Sequence, residues 1–313
     1  MKKLVLLAGN ISFDLIKSVT HSDGLGFTAY IGGSICNTAI QVSRLGLPVA
    51  LFSCLGKDPL SDYAIHLLKK EHILTKYIHR NGAFHPSLAI ANLDKQGNSS
   101  YSFSRASASA KFEHIPKSFL KNISVFHTGS FFCCDISTYP IALSLVKKMK
   151  KAGVPSFFDP NWRASRIDDI AAAKKRIFSL LPYFSLVKLS DDDITGITGE
   201  ADLNRAISIL EKHTRAHIIV TLGEKGSLYK SPTGFITCPA IDIKIADTIG
   251  AGDAFTSGLI YKFMTLGKEK FFKDMHDNLI FASKVAAVIC TGHGATSALR
   301  GISQVKAVKT HTI

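Results

Sequence analysis

"GGSICNTAIQVSRLGLPVALFSCLG", Gly32 to Gly56, holds the two element types that decide the fold. Ile35, Ala39, Ile40 and Val42 recur at helical spacing, and Gly46 ends the run. "PVALFSCLG" then reads as a buried strand. Upstream, "KKLVLLAG" reads the same way. Downstream, helix-like and strand-like segments keep alternating. "LSDYAIHLLKKEHI" is a helix, Ile123–Ser130 a strand, "IALSLVKKMKKAG" a helix and "VPSFFDPN" a strand. "DDIAAAKKRIFSLLP", "FSLVKLS", "LNRAISILEKHT" and "AHIIVTLG" continue helix, strand, helix, strand. Such alternation implies an α/β fold with a doubly wound, mostly parallel sheet flanked by helices.

Two stretches break the rhythm, 12–32 and 87–105. Both are polar and alternating, and "SLAIANLDKQGNSSYSFSR" has turn residues between two alternating runs. They are expected to pair into a small β layer that serves as a lid. "GSLYKSPTGFITCPA" reads as a further hairpin with "SPTG" at its turn. No internal repeat, low-complexity tract or linker interrupts the chain, so one domain over residues 1–313 is expected.

Composition narrows the function classes. The chain has 313 residues, 46% of them hydrophobic and 20% charged, enough for a large core and too apolar for global disorder. The net charge of +14 would attract anions, but the basic residues are scattered. The densest cluster, Lys147 to Lys151, ends an amphipathic segment, where cations complement the helix dipole. A nucleic-acid reading therefore rests on net charge alone. No run nears the ~20 apolar residues of a membrane span. The apolar part of "MKKLVLLAGN" stops at Gly9, short of the ~7–15 residues of a signal core. Six cysteines without a Cys-x-x-Cys pair point to free thiols and a cytoplasmic location.

The chemistry concentrates in small-residue stretches beside elements. In "DTIGAGDAF", Asp247 to Phe255, glycines precede an apolar helix. Free backbone N–H groups of residues 250 to 253 would make an anion hole strengthened by the helix dipole. Asp253 beside it could accept the proton of an alcohol attacking a phosphoryl group. An N-cap aspartate after a flexible loop is the competing reading. "IGGSICNTAI" places Gly32 and Gly33 before a helix and Asn37 one turn in, where it could bond a hydroxyl; a tight turn is the alternative. "TLGEKGS", Thr221 to Ser227, puts small residues at a strand end, as a ligand crevice needs, and also suits a hairpin turn. "FDPNWR" offers Arg163 to a substrate or phosphate. "KLSDDDITGITG" sets Ser190 and Asp193 at a strand–helix junction, for capping or for organising Mg²⁺ through water. The twelve histidines show no metal-ligand spacing.

Taken in this order over nearly the whole chain, these motifs resemble the ribokinase-like (PfkB) sugar kinase family, above all its fructokinases. "GGSICNTAIQVSRLG" and "DTIGAGDAF" carry most of the likeness, and "YSFSRASASAKF", "FDPNWR" and "VKLSDDDITGITG" are similar to fructokinase segments. The resemblance implies transfer of the ATP γ-phosphate to a sugar hydroxyl with Mg²⁺. By position, Asp253 looks like the catalytic base, and Gly250, Ala251 and Gly252 like the anion hole. Asn10, Asp14, Gly32, Gly33, Asn37, Arg105 and Arg163 look like sugar contacts. Lys188, Thr221, Gly223 and Gly226 fall where the family holds the nucleotide. Ser190 and Asp193 stand where many members have Asn-x-x-Glu, a departure that bears on the indirect Mg²⁺ role implied for Asp193. Asp247 and Ile249 match a segment near which relatives hold a potassium-type ion. Fructose is the expected substrate, with 2-keto-3-deoxygluconate or ribose as alternatives. A catalytically silent, kinase-like binding protein is the reading from another class. The expected partners are a sugar and ATP, not nucleic acid or membrane, and an exposed lid edge could pair with a second copy as a homodimer.

Overall fold

Alternate residues of the first strand enter different cores. Val5 and Leu7 pack into one cluster, Leu6 and Ala8 into another, and all four are buried. A strand covered on both faces must lie inside a sheet with helices on each side. The computed structural model describes residues 4–21, 24–93, 99–104, 112, 115–231 and 234–309. Its strands in chain order are β1 (Leu4–Ala8), β2 (Ser12–His21), β3 (Gly24–Gly32), β4 (Val49–Leu55), β5 (Ile78–Arg80), β6 (Ser87–Leu93), β7 (Ser99–Ser104), β8 (Ile123–Gly129), β9 (Ser156–Asp159), β10 (Leu186–Ser190), β11 (His217–Thr221), β12 (Ser227–Ser231) and β13 (Gly234–Cys238).

The main sheet has the order β13-β12-β11-β10-β9-β8-β1-β4-β5. From β11 to β5 every pairing is parallel, and β12 and β13 add an antiparallel edge. This is the α/β architecture expected from the sequence. The chain runs from β1 outward to β4 on one side and later to β8 on the other. The strand order thus reverses at the carboxyl ends of β1 and β8, which is where open α/β sheets keep their crevice.

The two irregular stretches form a separate four-stranded sheet, ordered β3-β2-β6-β7. β2 pairs antiparallel with β3 and parallel with β6, so the two stretches meet along β2 and β6. The "DKQGN" turn and Arg105 lie outside the described residues.

Two long helices matter most for the site, Ser34–Arg44 and Ala251–Leu266. The second packs against the helix Met275–Cys290 across Gly258. A Cβ on Gly258 would lie 2.7 Å from the Cα of Ala282 and 3.2 Å from Val285 Cγ2. Helix propensity alone favours Ala over Gly by about 1 kcal/mol. Overpacking against backbone costs about 1–3 kcal/mol and should win. Gly258→Ala is therefore expected to lower the thermal unfolding midpoint; a raised midpoint would show that the two helices can move apart at little cost.

Candidate active site

Both helices begin at a glycine in a conformation with positive φ. Gly33 has φ 97° and Gly250 φ 80°. A Cβ on Gly33 would lie 2.7 Å from the Asn10 carbonyl oxygen, and one on Gly250 would lie 2.6 Å from the Ala295 Cα. Side chains are excluded at both positions by backbone conformation and by space. Each helix start can therefore press against a neighbouring backbone, that of Asn10 or that of Ala295.

Where they meet, Asp253 is held by the other helix. Ser34 Oγ donates to its Oδ1 at 2.6 Å, and Asn37 Nδ2 donates to its Oδ2 at 2.9 Å. Asp253 is only 7% exposed. Burial raises its pKa from 3.8 to about 6, partly offset by the Ser34 and Asn37 hydrogen bonds and by Lys188, while Asp159 adds to the rise. A carboxylate near pH 6 is better suited to take a proton than an ordinary aspartate.

A cavity of about 1020 Å³ opens in front of this carboxylate, along the carboxyl ends of the strands. Asn10, Asp14, Gly33, Asn37 and Arg163 line it on one side. Thr221, Gly223 and Gly226 line it further along, beyond Lys188 and Asp193, and Ile249, Gly250, Ala251 and Gly252 form the wall beside Asp253. Gly32 and Asp247 are not on the wall. Gly32 makes room instead, since a Cβ there would lie 2.7 Å from Asp14 Oδ2. Both carboxylate oxygens of Asp247 close the loop, accepting from the backbone N–H groups of Ile249 and Gly294.

Four expectations need amendment. The Ala251 N–H is not free for an anion, because it donates to the Thr248 carbonyl at 3.1 Å. The first turn then offers Gly252 and Asp253 as its helix-start donors. Gly226 has φ 92°, and its Cβ would lie 2.0 Å from the Cys238 carbonyl, so close strand packing already demands a glycine there. Asp193 takes the capping role: it accepts from Ser190 N at 2.8 Å and from Trp162 N at 2.7 Å, in a capping box with Ser190. The ammonium of Lys188 is paired with Asp159 Oδ2 at 3.0 Å, with both side chains 5% exposed or less.

The sequence reading missed Asp159, Ser34, Asn161 and Arg166, all on the cavity wall. Asp159 ends β9, and its Oδ1 accepts from Asn161 N at 3.0 Å in an Asx turn. Asn161 and Ser130, both facing the cavity, have φ of 39° and 55°, a sparsely populated region for residues with side chains. Arg166 lies 3.4 Å from the Phe103 ring centroid on β7 and offsets the burial-driven rise in the Asp14 pKa. It thereby links the main sheet to the small one. Asp159 had a signal in the Asp-Pro-Asn turn sequence, and Ser34 in following a double glycine; Arg166 had none.

The pattern described as "pfkB family carbohydrate kinase" matches residues 2–300. Fructokinase-2 of Solanum lycopersicum is 28% identical over 317 residues, covering 96% of this chain and 94% of its own. The structure of a fructokinase with bound ATP from Xylella fastidiosa superposes with a TM-score of 0.88 at 24% identity, covering 98% of both chains. A fructokinase double mutant from Vibrio cholerae O395, in a form with fructose, ADP and potassium ion, gives a TM-score of 0.82 at 22% identity over 98% of both chains.

The raised pKa of Asp253 has a cost in stability that can be measured. Below about pH 3 the carboxyl is neutral in both the folded and unfolded chain, and the cost is absent. As pH rises from 3.8 through about 6 the folded protein must give up a proton it held, and the cost becomes complete. Asn at 253 would keep the Ser34 bond and could donate to Asn37 Oδ1, a buried atom without a partner, after a flip of the Asn37 amide. Asp253→Asn should therefore be the more stable protein at pH 7.5, by up to roughly 3 kcal/mol, and the gain should shrink through pH 4 and vanish near pH 3. Unfolding midpoints of the two proteins at both pH values decide this; an Asn variant less stable at pH 7.5 would contradict the burial argument.

Proposed function

The chain belongs to the pfkB family of carbohydrate kinases, and we propose that it phosphorylates a hydroxyl of fructose with ATP as donor. It is a phosphotransferase acting on a sugar hydroxyl. The observation that carries the reading is the buried Asp253 carboxylate, poised at about pKa 6 on the wall of a large polar cavity and beside a glycine-led helix start. Fructose is favoured by the 28% identical fructokinase that spans nearly the whole chain. A 2-keto acid sugar such as 2-keto-3-deoxygluconate is the second reading, because Arg163 and Arg166 both border the cavity and could meet a carboxylate.

The chemistry follows from the positions. The sugar lies between Asn10, Asp14 and Arg163 and the main cavity wall, with one hydroxyl against Asp253. Asp253 takes the hydroxyl proton as the oxygen attacks the γ-phosphorus. The N–H groups of the first turn after Gly250 face the transferring phosphoryl group, where the positive end of the helix dipole offsets its charge. The nucleotide runs along Thr221, Gly223 and Gly226. The small sheet serves as the lid, excluding water from the phosphoryl group.

Among the described residues no cluster of three or more His, Cys, Asp or Glu could hold a metal. That fits Mg²⁺, which keeps several waters and is carried largely by nucleotide phosphates. When bound it neutralises charge on the β- and γ-oxygens. Asp193, with each carboxylate oxygen already accepting a backbone N–H, would reach it through water. A potassium-type ion at Asp247 and Ile249 would share the Asp247 carboxylate with two backbone donors. Among the described residues no helix is long and apolar enough to cross a membrane. All six cysteines are free and buried, as a reducing cytoplasm would keep them. β3 is an edge of the lid sheet with Phe27 and Tyr30 exposed, which supports pairing with a second copy.

An ADP-release assay over fructose, ribose and 2-keto-3-deoxygluconate tests the substrate, with fructose expected to give the highest kcat/KM. A preference for the keto acid would move the assignment to the second reading. Asp253→Asn should lose about 10²–10⁴-fold in kcat while still binding ATP. In the unaltered enzyme kcat/KM should fall as pH drops through about 6, because a protonated Asp253 cannot accept the hydroxyl proton. Turnover that is near normal in the Asn variant, or flat down to pH 5, would remove Asp253 as the base.

A further inference from the structure

Lys188 is a charged residue inside a strand whose other residues are apolar or small, and it is 4% exposed. Burying an ammonium requires a partner. The partner is Asp159 on the neighbouring strand β9, with Nζ 3.0 Å from Oδ2. That same Oδ2 lies 3.2 Å from Thr256 Oγ1, a hydroxyl whose one proton it shares with the Gly252 carbonyl at 3.1 Å, and Thr256 lies one turn beyond Asp253 on the glycine-led helix. The other oxygen, Oδ1, is fixed by the Asn161 N–H. Asp159 is therefore held by the Asn161 N–H and the Lys188 ammonium, with the Thr256 hydroxyl within reach.

The ammonium is pressed against the start of the helix. A Cβ on Gly252 would lie 3.0 Å from Lys188 Nζ, the one atom outside its own helix backbone and chain neighbours within 4 Å among the described residues. Glycine at 252 thus leaves space for a cation, next to the residue that carries the base. The titratable and charged groups that face this point from the surrounding elements are few. Cys36 comes from the Ser34–Arg44 helix, its thiol driven up by burial and by Asp253. Asp159 comes from β9, Lys188 from β10, and Asp193 from the start of the next helix, Asp191–Thr198.

We propose that Asp159 is a positioning residue of the phosphoryl-transfer site. Through its buried ion pair with Lys188 it pins the ammonium against Gly252, and so sets how readily Asp253 takes a proton. The proposal rests on the kinase reading of the same site and deepens it. Lys188 works against the burial of its own charge only because Asp159, Asp193 and Asp253 surround it, and the balance leaves it firmly protonated. Its field favours the ionised form of Asp253, whereas the Asp159 carboxylate opposes it. The pair is therefore a balance, with one member on each side. Asp159 also keeps the cation from collapsing onto Asp253, where it would tie up the base in a direct ion pair.

The two members predict opposite shifts, which a merely structural role would not produce. Asp159→Asn removes the opposing charge, so the acid limb of the pH profile of kcat/KM should move down by about 0.5–1 pH unit. Lys188→Gln removes the favouring charge and should move that limb up by a similar amount or more. Lys188→Arg keeps the charge and should leave the limb in place. Limbs that stay put, or that move the same way in the Asn and Gln variants, overturn the proposal. Circular dichroism checks each fold, and if Lys188→Gln does not fold, the direction seen with Asp159→Asn decides alone. The same titration can be read without substrate. The carboxyl carbon resonance of Asp253, assigned by its loss in Asp253→Asn, should titrate near pH 6 and shift in the same two directions. Carboxyl shifts in the two predicted directions, in a protein that releases no ADP with any sugar, would sink the kinase reading while showing that the pair still tunes Asp253; an active enzyme with unmoved limbs would overturn the proposal and leave the kinase reading standing.

Discussion

The carboxylate of Asp253, held by Ser34 and Asn37, is the contact on which the rest of the site depends. The partners are separated by 219 and 216 residues in the chain. They meet because two helices start at glycines that let their backbones come close, to Asn10 in one case and to Ala295 in the other. Two neutral donors stabilise the ionised form, yet burial outweighs them and the group remains a weaker acid than an exposed aspartate. That imbalance matters for chemistry. A carboxylate fully compensated by an adjacent cation would be stable and would have little reason to accept a proton. One with no donors would stay protonated at neutral pH. Ser34 and Asn37 place it between those limits, and each carboxylate oxygen still has a lone pair for the substrate.

The cations near the site are arranged consistently with this. Lys188 is within the field of Asp253 but bonded to Asp159. On the other side, Arg166 sits over Phe103 and within the field of Asp14 rather than against the base. The groups that hydrogen-bond Asp253 are the neutral Ser34 and Asn37, while the positive charge nearby is directed to Asp159 and Asp14. A buried ion pair contributes little to net stability, since desolvation takes back most of the attraction. The Asp159–Lys188 pair is better understood as fixing position, because its geometry joins β9, β10 and the Asp253 helix at one point.

Much of this was legible in the sequence, for definable reasons. The α/β sheet could be read because periodicity is local: a buried strand such as "PVALFSCLG" and a helix such as "SICNTAIQVSRLG" show their type within a dozen residues. The two irregular stretches announced a separate sheet by alternation. Asp253, Gly250 and Gly33 stood out because small residues crowded beside an element start. The pairing of Lys188 with Asp159 was not read, because it depends on which strands become neighbours, and β9 and β10 reveal that only once folded. There was a signal nonetheless. A lysine in the middle of an otherwise buried strand is rarely solvated, so "LVKLS" calls for a buried acid nearby. Asp193 was harder, since an acidic first turn is ordinary capping, and its bond to Trp162 N crosses 31 residues.

Glycine illustrates how one residue type answers different constraints in one site. Gly250 is required by its left-handed backbone and by Ala295, and Gly226 by Cys238. Gly252 has ordinary helical geometry, and a Cβ there would crowd the Lys188 ammonium at 3.0 Å. The motif Gly-Ala-Gly-Asp is therefore not one flexible loop but a turn, a committed N–H and a space for charge, in that order. Ala251 is the member that tolerates a methyl group, and it is also the one whose N–H is spent on Thr248. The backbone N–H groups left at the helix start are those of the positions after it, where the Lys188 ammonium, the helix start and the Asp253 carboxylate converge within one turn. Glycine at 252 leaves the Lys188 ammonium its room, and Asp159 bonds that ammonium where it stands.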